Sequence, residues 1–192
     1  MSSISLAPSS TALIVIDLQN GIAGTPTVPH PVSDVVRRSA QLIARFRERN
    51  ALVVLVHVDP GPNGELFPRP ITDIERPRIV PQAGWSDFVP EIAPQAGDVV
   101  VTKHQPSAFF GTDLEIQLRR RGIQTIVLCG ISTNVGVEAT ARAGFEHGFN
   151  LVFASDAMAG RDADLHAASV GKFFPTIGRV RTAEEILSSL QP

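Results

Sequence analysis

An α/β fold is predicted, with a parallel six-stranded sheet held between two layers of helices. Short apolar runs recur along the 192 residues, such as Thr11 to Ile16 (TALIVI) and Ala51 to Val58 (ALVVLVHV). They are almost wholly apolar instead of alternating, as a strand covered on both faces requires. Between the runs lie helical patterns, and strand–helix alternation calls for right-handed crossovers and parallel pairing.

The first strand, Thr11 to Ile16, ends where Asp17-Leu18-Gln19-Asn20-Gly21 turns polar. A helix follows from about Asp34 to Arg49, with Val35, Ala40, Leu42, Ile43 and Phe46 among its apolar positions. Ser33 is the expected N-cap and Asn50 the stop. Ala51 to Val58 is strand two. Residues 59–94 then change character, because Pro60, Pro62, Pro68, Pro70, Pro77, Pro81, Pro90 and Pro94 break any long element. Phe67, Ile71, Ile74, Trp85 and Phe88 suit this excursion either to cover a site or to be pinned to the core.

Asp98 to Thr102 is strand three. Thr112-Asp113-Leu114-Glu115 reads as a capping box opening a helix to Arg121, with Gly122 as its stop. Thr125 to Cys129 is strand four, and Thr133 or Asn134 is placed to cap a helix ending near Gly148. Leu151 to Ala154 is strand five, followed by a helix from about Ala163 to Phe173. Val180 lies in a short sixth strand. Thr182-Ala183-Glu184-Glu185 is a second capping box for the last helix. The order 3-2-1-4-5-6 makes this a Rossmann-like, three-layer α/β/α architecture, with residues 1–192 as one domain.

Composition bounds the function. Seventeen basic against 19 acidic residues give a net charge of -2, and no Lys/Arg run builds a stripe, so no nucleic-acid partner is expected. No apolar stretch is long enough for a bilayer, so no membrane partner is expected either. Met1 to Ser5 lacks the pattern of a signal peptide. The one cysteine, Cys129, allows no internal disulfide and fits a reducing cytoplasm. His57 and Asp59 alternate on one strand without a further close histidine, so neither metal nor cofactor is expected.

In an open parallel sheet ligands bind beyond the carboxyl ends of the strands. Asp17 ends strand one and Lys103 follows strand three. Alone, Asp17 reads more readily as a turn-capping aspartate and Lys103 as a snorkelling surface lysine. Opposite charges on the ligand-facing edge say more than either residue. Gly130 to Gly136 joins strand four to its helix, whose first-turn N–H groups can hold negative charge. Gly136 there either permits close backbone packing or keeps a site free of a side chain.

Asp17-Leu18-Gln19-Asn20, Lys103 with Ser107-Ala108-Phe109, and the stretch GISTNVGVEATARAG from Gly130 to Gly144 resemble the three signature regions of the isochorismatase-like hydrolase superfamily. The resemblance runs from Thr11 to about Ala157. It implies a catalytic set of Asp17, Lys103 and Gly136, with Gly136 where the amidase branch carries its cysteine nucleophile; the isochorismatase branch also has glycine there. Gln19, Asp59, Trp85, Phe109, Ile131, Ser132 and Val135 are the substrate-binding residues it implies, with a cis peptide at Ile131-Ser132. A small-molecule substrate, no covalent thioester and a homodimer or larger homo-oligomer also follow from it. Asp59 replaces a glutamine of isochorismatases and Gln105 an arginine, which disfavours a dianion such as isochorismate.

Three functions remain open on these residues. One is hydrolysis without a covalent step, with Asp17 as general acid or base. A nearby Lys103 would lower the Asp17 pKa, whereas a general acid must hold its proton. The second is a small-amide hydrolase with a substitute nucleophile: Cys129 is the obvious thiol, but it ends a buried strand, and Ser132 and Thr133 read better as caps. The third is a ligand-binding relative that has lost catalysis.

Overall fold

The computed structural model describes residues 4–75 and 78–190. Met1 to Ser3 and Pro77, both used above, lie outside the described residues. The sheet consists of β1 (Thr11–Ile16), β2 (Leu52–Val58), β3 (Val99–Lys103), β4 (Thr125–Ile131), β5 (Asn150–Ala159) and β6 (Arg179–Arg181). All pairs are parallel, in the order β3-β2-β1-β4-β5-β6. The helices are α1 (Asn20–Ala23), α2 (Val32–Glu48), α3 (Leu114–Arg120), α4 (Glu138–Glu146), α5 (Ala163–Ala168), α6 (Phe174–Ile177) and α7 (Ala183–Ser189). Both the α/β class and the sheet order match the expectation.

The unbroken apolar runs have a simple cause. Successive strand side chains point to opposite faces, and here both faces are covered. Leu13 and Val15 of β1 pack with Val35, Leu42 and Phe46 of α2 and Ile186 of α7. Ala12, Ile14 and Ile16 pack with Leu114 and Leu118 of α3, Ala141 of α4 and Phe174 of α6. Burying one such large side chain contributes about 1.5–3 kcal/mol, and Leu42→Ala would cost about 2–5 kcal/mol. β3 is an edge strand, and Val100 is accordingly exposed.

Several local expectations are corrected. α2 begins at Val32 after Pro31, not after Ser33, because the Pro31 carbonyl already accepts from Asp34 and Val35 N–H at 3.0 and 3.2 Å. Asn50 does end it, in the left-handed region at φ 53°. Ala51 and Asp98 fall just outside their strands; the Asp98 carboxylate takes Arg47 instead. No capping box forms at Thr112, since Glu115 turns to Arg119 and His147 while Thr112 Oγ1 accepts from Leu114 N–H. The box at Thr182 and Glu185 does form. β5 runs on to Ala159, past polar Ser155 and Asp156, because a register shift lets Met158 rejoin Gly130 of β4. The helix expected from Ala163 to Phe173 is interrupted by a π-helical turn at Ser169–Phe173.

Residues 59–75 and 78–94 form turns and, among these described residues, one short 3-10 segment, Pro90–Ile92. Phe88 and Trp85 pack inward beside β2 and α1. Ile71 and Ile74 are exposed. Among the described residues no helix is long and apolar enough to cross a membrane.

Candidate active site

Asp17 leaves β1 with φ 53°. Aspartate is one of the few non-glycine residues that tolerate this left-handed region, and such outliers cluster at functional sites. Its N–H still bonds Val56 O at 2.9 Å, so β2 anchors the backbone where it bends. Beside it Gly130 has φ 114°, and a Cβ there would strike the Ile16 backbone. The closeness of β1 and β4 at their carboxyl ends therefore depends on that glycine.

Lys103 ends the edge strand β3 yet is only 1% exposed, which rules out the snorkelling alternative. Its ammonium donates to Asp17 Oδ2 at 2.8 Å and to Pro106 O at 2.7 Å. Asp17 is 6% exposed, and its second oxygen, Oδ1, has no hydrogen-bond partner. Burial pushes the Asp17 carboxyl above its ordinary range, and this outweighs the opposing pull of Lys103 and, more weakly, of His57. Burial and Lys103 thus act on this proton in opposite directions.

Gly136 completes the cluster. It lies in a π-helical turn, Thr133–Val137, that leads into α4. A Cβ on it would fall 3.1 Å from Asp17 Oδ2, 3.2 Å from Lys103 Nζ and 2.9 Å from Ile16 Cγ2. The peptide Ile131-Ser132 before the turn is cis. Neither Thr133 nor Asn134 caps this helix. Ser132 occupies the cap position, and its carbonyl accepts from Val135 and Val137 N–H at 3.1 and 3.2 Å. The Thr133 hydroxyl instead meets His166 Nδ1 of α5 at 2.8 Å.

The remaining expected site residues divide. Asp59 adjoins Lys103: its N–H donates to Lys103 O at 2.9 Å, while its carboxylate takes Gly61 N–H at 2.9 Å. Gln19 is buried, donating to Val58 O at 2.8 Å and accepting from Val58 N–H at 2.7 Å, so its amide ties β1 to the end of β2. Trp85 packs over Gly21, and its carbonyl takes Gly21 N–H at 2.9 Å. Ile131 is a core side chain and Val135 is half exposed. Phe109 is not brought to the cluster. Its ring, 8% exposed, stacks at 5.9 Å on Phe149, at the far end of α4, where a flat apolar ring fills the core.

His57, weighed from the sequence only as a metal ligand beside Asp59, acts on the Asp17 carboxyl, and the His166–Thr133 pair lies at the Gly136 turn. His57 bridges Ser86 O and Thr102 Oγ1, both at 2.8 Å. A histidine inside an otherwise apolar strand was the sequence signal for the first. The second had none, because α5 meets the turn only after folding. Cys129 is fully buried, 3.6 Å from Ser39 Oγ, and burial pushes its thiol up to about 12. No group of three or more His, Cys, Asp or Glu is placed to hold a metal among the described residues. A groove of about 900 Å³ lined by Val32, Val36, Ala40 and Val89 runs along α2 and includes none of Asp17, Lys103 and Gly136.

The isochorismatase domain family matches residues 11–185. The chain is 44% identical to the isochorismatase family protein YecD of Escherichia coli O157:H7, over 97% of this chain and 100% of that one. It is 30% identical to maleamate amidohydrolase of Pseudomonas putida, over 94% of this chain and 86% of that protein. An isochorismatase family structure from Burkholderia thailandensis superposes with a TM-score of 0.94 at 43% identity, covering 100% of both chains.

Proposed function

The chain belongs to the isochorismatase family, and from that premise we propose that it hydrolyses a small organic substrate by direct attack of water, without a covalent enzyme intermediate. Asp17 acts as general acid and base. Lys103 holds and orients it. Gly136 leaves the position beside them free of a nucleophile. The observation that carries this is the buried Asp17–Lys103 pair, 2.8 Å apart, against a glycine whose Cβ would touch both groups.

Burial raises the Asp17 carboxyl, the direction that helps a carboxylic acid both hold and return a proton. A substitute thiol finds no support, since Cys129 is sealed in the core with its pKa near 12. Small amides are the first substrate class to test, given a relative named maleamate amidohydrolase; vinyl ethers are the second. No cofactor, a cytoplasmic setting and a homo-oligomer belong to the same proposal.

The test is a turnover screen with maleamate, other short-chain amides and vinyl ethers, run on native protein and on Asp17→Ala and Cys129→Ala variants. Hydrolysis that disappears with Asp17→Ala and survives Cys129→Ala is the expected result. Activity that survives Asp17→Ala and is lost with Cys129→Ala would overturn it in favour of a relocated thiol. Binding without any turnover would favour the relative that has lost catalysis.

A further inference from the structure

We propose that residues 24–31 form a pH-sensitive latch, closed at neutral pH by the packing of His30 on His166 beside the Gly136 turn and released in acid when both rings carry protons. Its bearing on catalysis rests on the hydrolase proposed above; the latch itself does not.

The segment joins α1 to α2 and is fastened at Gly160, the residue after β5. Val28 and Gly160 exchange backbone hydrogen bonds, each 2.9 Å long. The Arg161 guanidinium donates to the carbonyls of Ile22, Thr25 and Pro26. Thr27 Oγ1 donates to His30 O at 2.7 Å. So held, the His30 ring meets His166 edge to face, with centroids 6.0 Å apart and planes at 86°. His166 is only 6% exposed, and its Nδ1 lies 2.8 Å from the hydroxyl of the wholly buried Thr133. Thr133 opens the π-helical turn that carries Gly136. Gly160 lies against the same turn, since a Cβ on it would fall 3.0 Å from Asn134 Oδ1. The latch therefore bears on the candidate active site through both Thr133 and Asn134.

Histidine is the side chain whose charge ordinarily changes between about pH 5 and 8. A proton on His166 puts a charge into a nearly closed space, and one on His30 sets a like charge against it. Burial first, and His30 second, hold His166 below its ordinary 6.5. Other charged groups on the surrounding elements have partners elsewhere. Arg161 holds the segment's carbonyls, Asp162 accepts from the Asp164 and Leu165 N–H groups, and Glu138 takes Arg142 and Ser169. Asp164 is exposed, two positions before His166 on α5, a spacing that does not face it. Lys172 lines a small groove with Glu138 and Ser169. An open latch hydrates His166 and lets it take its proton at the ordinary value. The open state then binds more protons than the closed one. Closure is at full strength above the ordinary 6.5 and loses ground as pH falls below it, by up to about tenfold per pH unit for one proton.

Hydrogen exchange of the ligand-free native protein, corrected at each pH for the intrinsic chemical rate, tests the latch. Protection of the Val28 and Gly160 N–H groups, relative to Leu128 in β4, should fall on the order of tenfold between about pH 7.5 and 5.5. His166→Asn keeps a hydrogen-bonding partner for Thr133 but takes no proton, and should show no such fall. Unchanged protection in the native protein, or an equal fall in His166→Asn, would overturn the latch. Imidazole NMR gives a second reading that does not require the variant at the buried position to fold. In His30→Gln, at a half-buried position, the His166 midpoint should rise by on the order of half a pH unit. An unmoved midpoint would mean that the two rings are not coupled and would overturn the latch. Both measurements are made without substrate, so their failure leaves the hydrolase standing, and a failed turnover screen leaves the latch standing.

Discussion

Lys103 Nζ lies 2.8 Å from Asp17 Oδ2 although β2 stands between their strands in the sheet. The lysine must therefore reach across the carboxyl end of β2, over the Val58–Asp59 turn that Gln19 and Lys103 O both hold. Both charges are out of water, so each depends on the other. Removing one partner of a buried pair costs about 3–5 kcal/mol, because the other charge stays behind. Lys103→Met should cost that much in urea unfolding. The Asp17→Asn/Lys103→Met double variant should lose much less than the two single losses added together. Additive losses would mean the pair is not coupled.

The Asp17 carboxyl is raised above its ordinary 3.8 chiefly by burial. The folded protein thus binds this proton more tightly than the unfolded chain does. Its contribution to stability is full below the ordinary pKa and is lost as pH rises through the folded pKa. Unfolding free energies measured from about pH 3 to 7 should show native protein losing ground to Asp17→Asn as pH rises. A native advantage that grows with pH would mean that Lys103 outweighs burial.

Gly136→Ala presses a methyl against Ile16 Cγ2 at 2.9 Å, a stiff branch in the core. Overpacking of this kind costs about 1–3 kcal/mol. Ile16→Ala should relieve part of it, so a double-mutant cycle should give a favourable coupling above about 0.5 kcal/mol. Strict additivity would place the strain elsewhere.

Thiol reagents should leave native Cys129 unlabelled until the protein unfolds, since the thiol is buried and its pKa is pushed up to about 12. Gly136→Cys should add one site that is labelled in the folded state. Rapid labelling of native protein, with its fold intact by circular dichroism, would contradict the burial of Cys129.

Gln19→Ala should leave the Val58 N–H and C=O unpaired in the interior. The cost for the two is about 2–6 kcal/mol. The amide also donates to Trp85 O at 3.3 Å, so hydrogen exchange at residues 84–88 should speed up. Protection there equal to native would show that the other ties to this segment, such as Gly21 N–H to Trp85 O and His57 to Ser86 O, hold it without Gln19.

Much of this protein was legible in the sequence. Apolar runs of strand length, each uninterrupted, dictate a sheet covered on both faces, and with parallel crossovers they place Asp17, Lys103 and the Gly130 turn on one edge. That edge position is local information, carried by where each run stops. The tertiary structure decided what the sequence left open. Burial of Lys103 depends on its reach over β2, and the upward shift of Asp17 on how completely neighbouring elements exclude water. Phe109 stands apart from the Asp17–Lys103–Gly136 cluster, its ring stacked on Phe149, 40 residues away along the chain. Gln19 became a tie between strands because Val58 stands opposite it. These outcomes depend on contacts between distant segments, and such contacts exist only once the chain has folded.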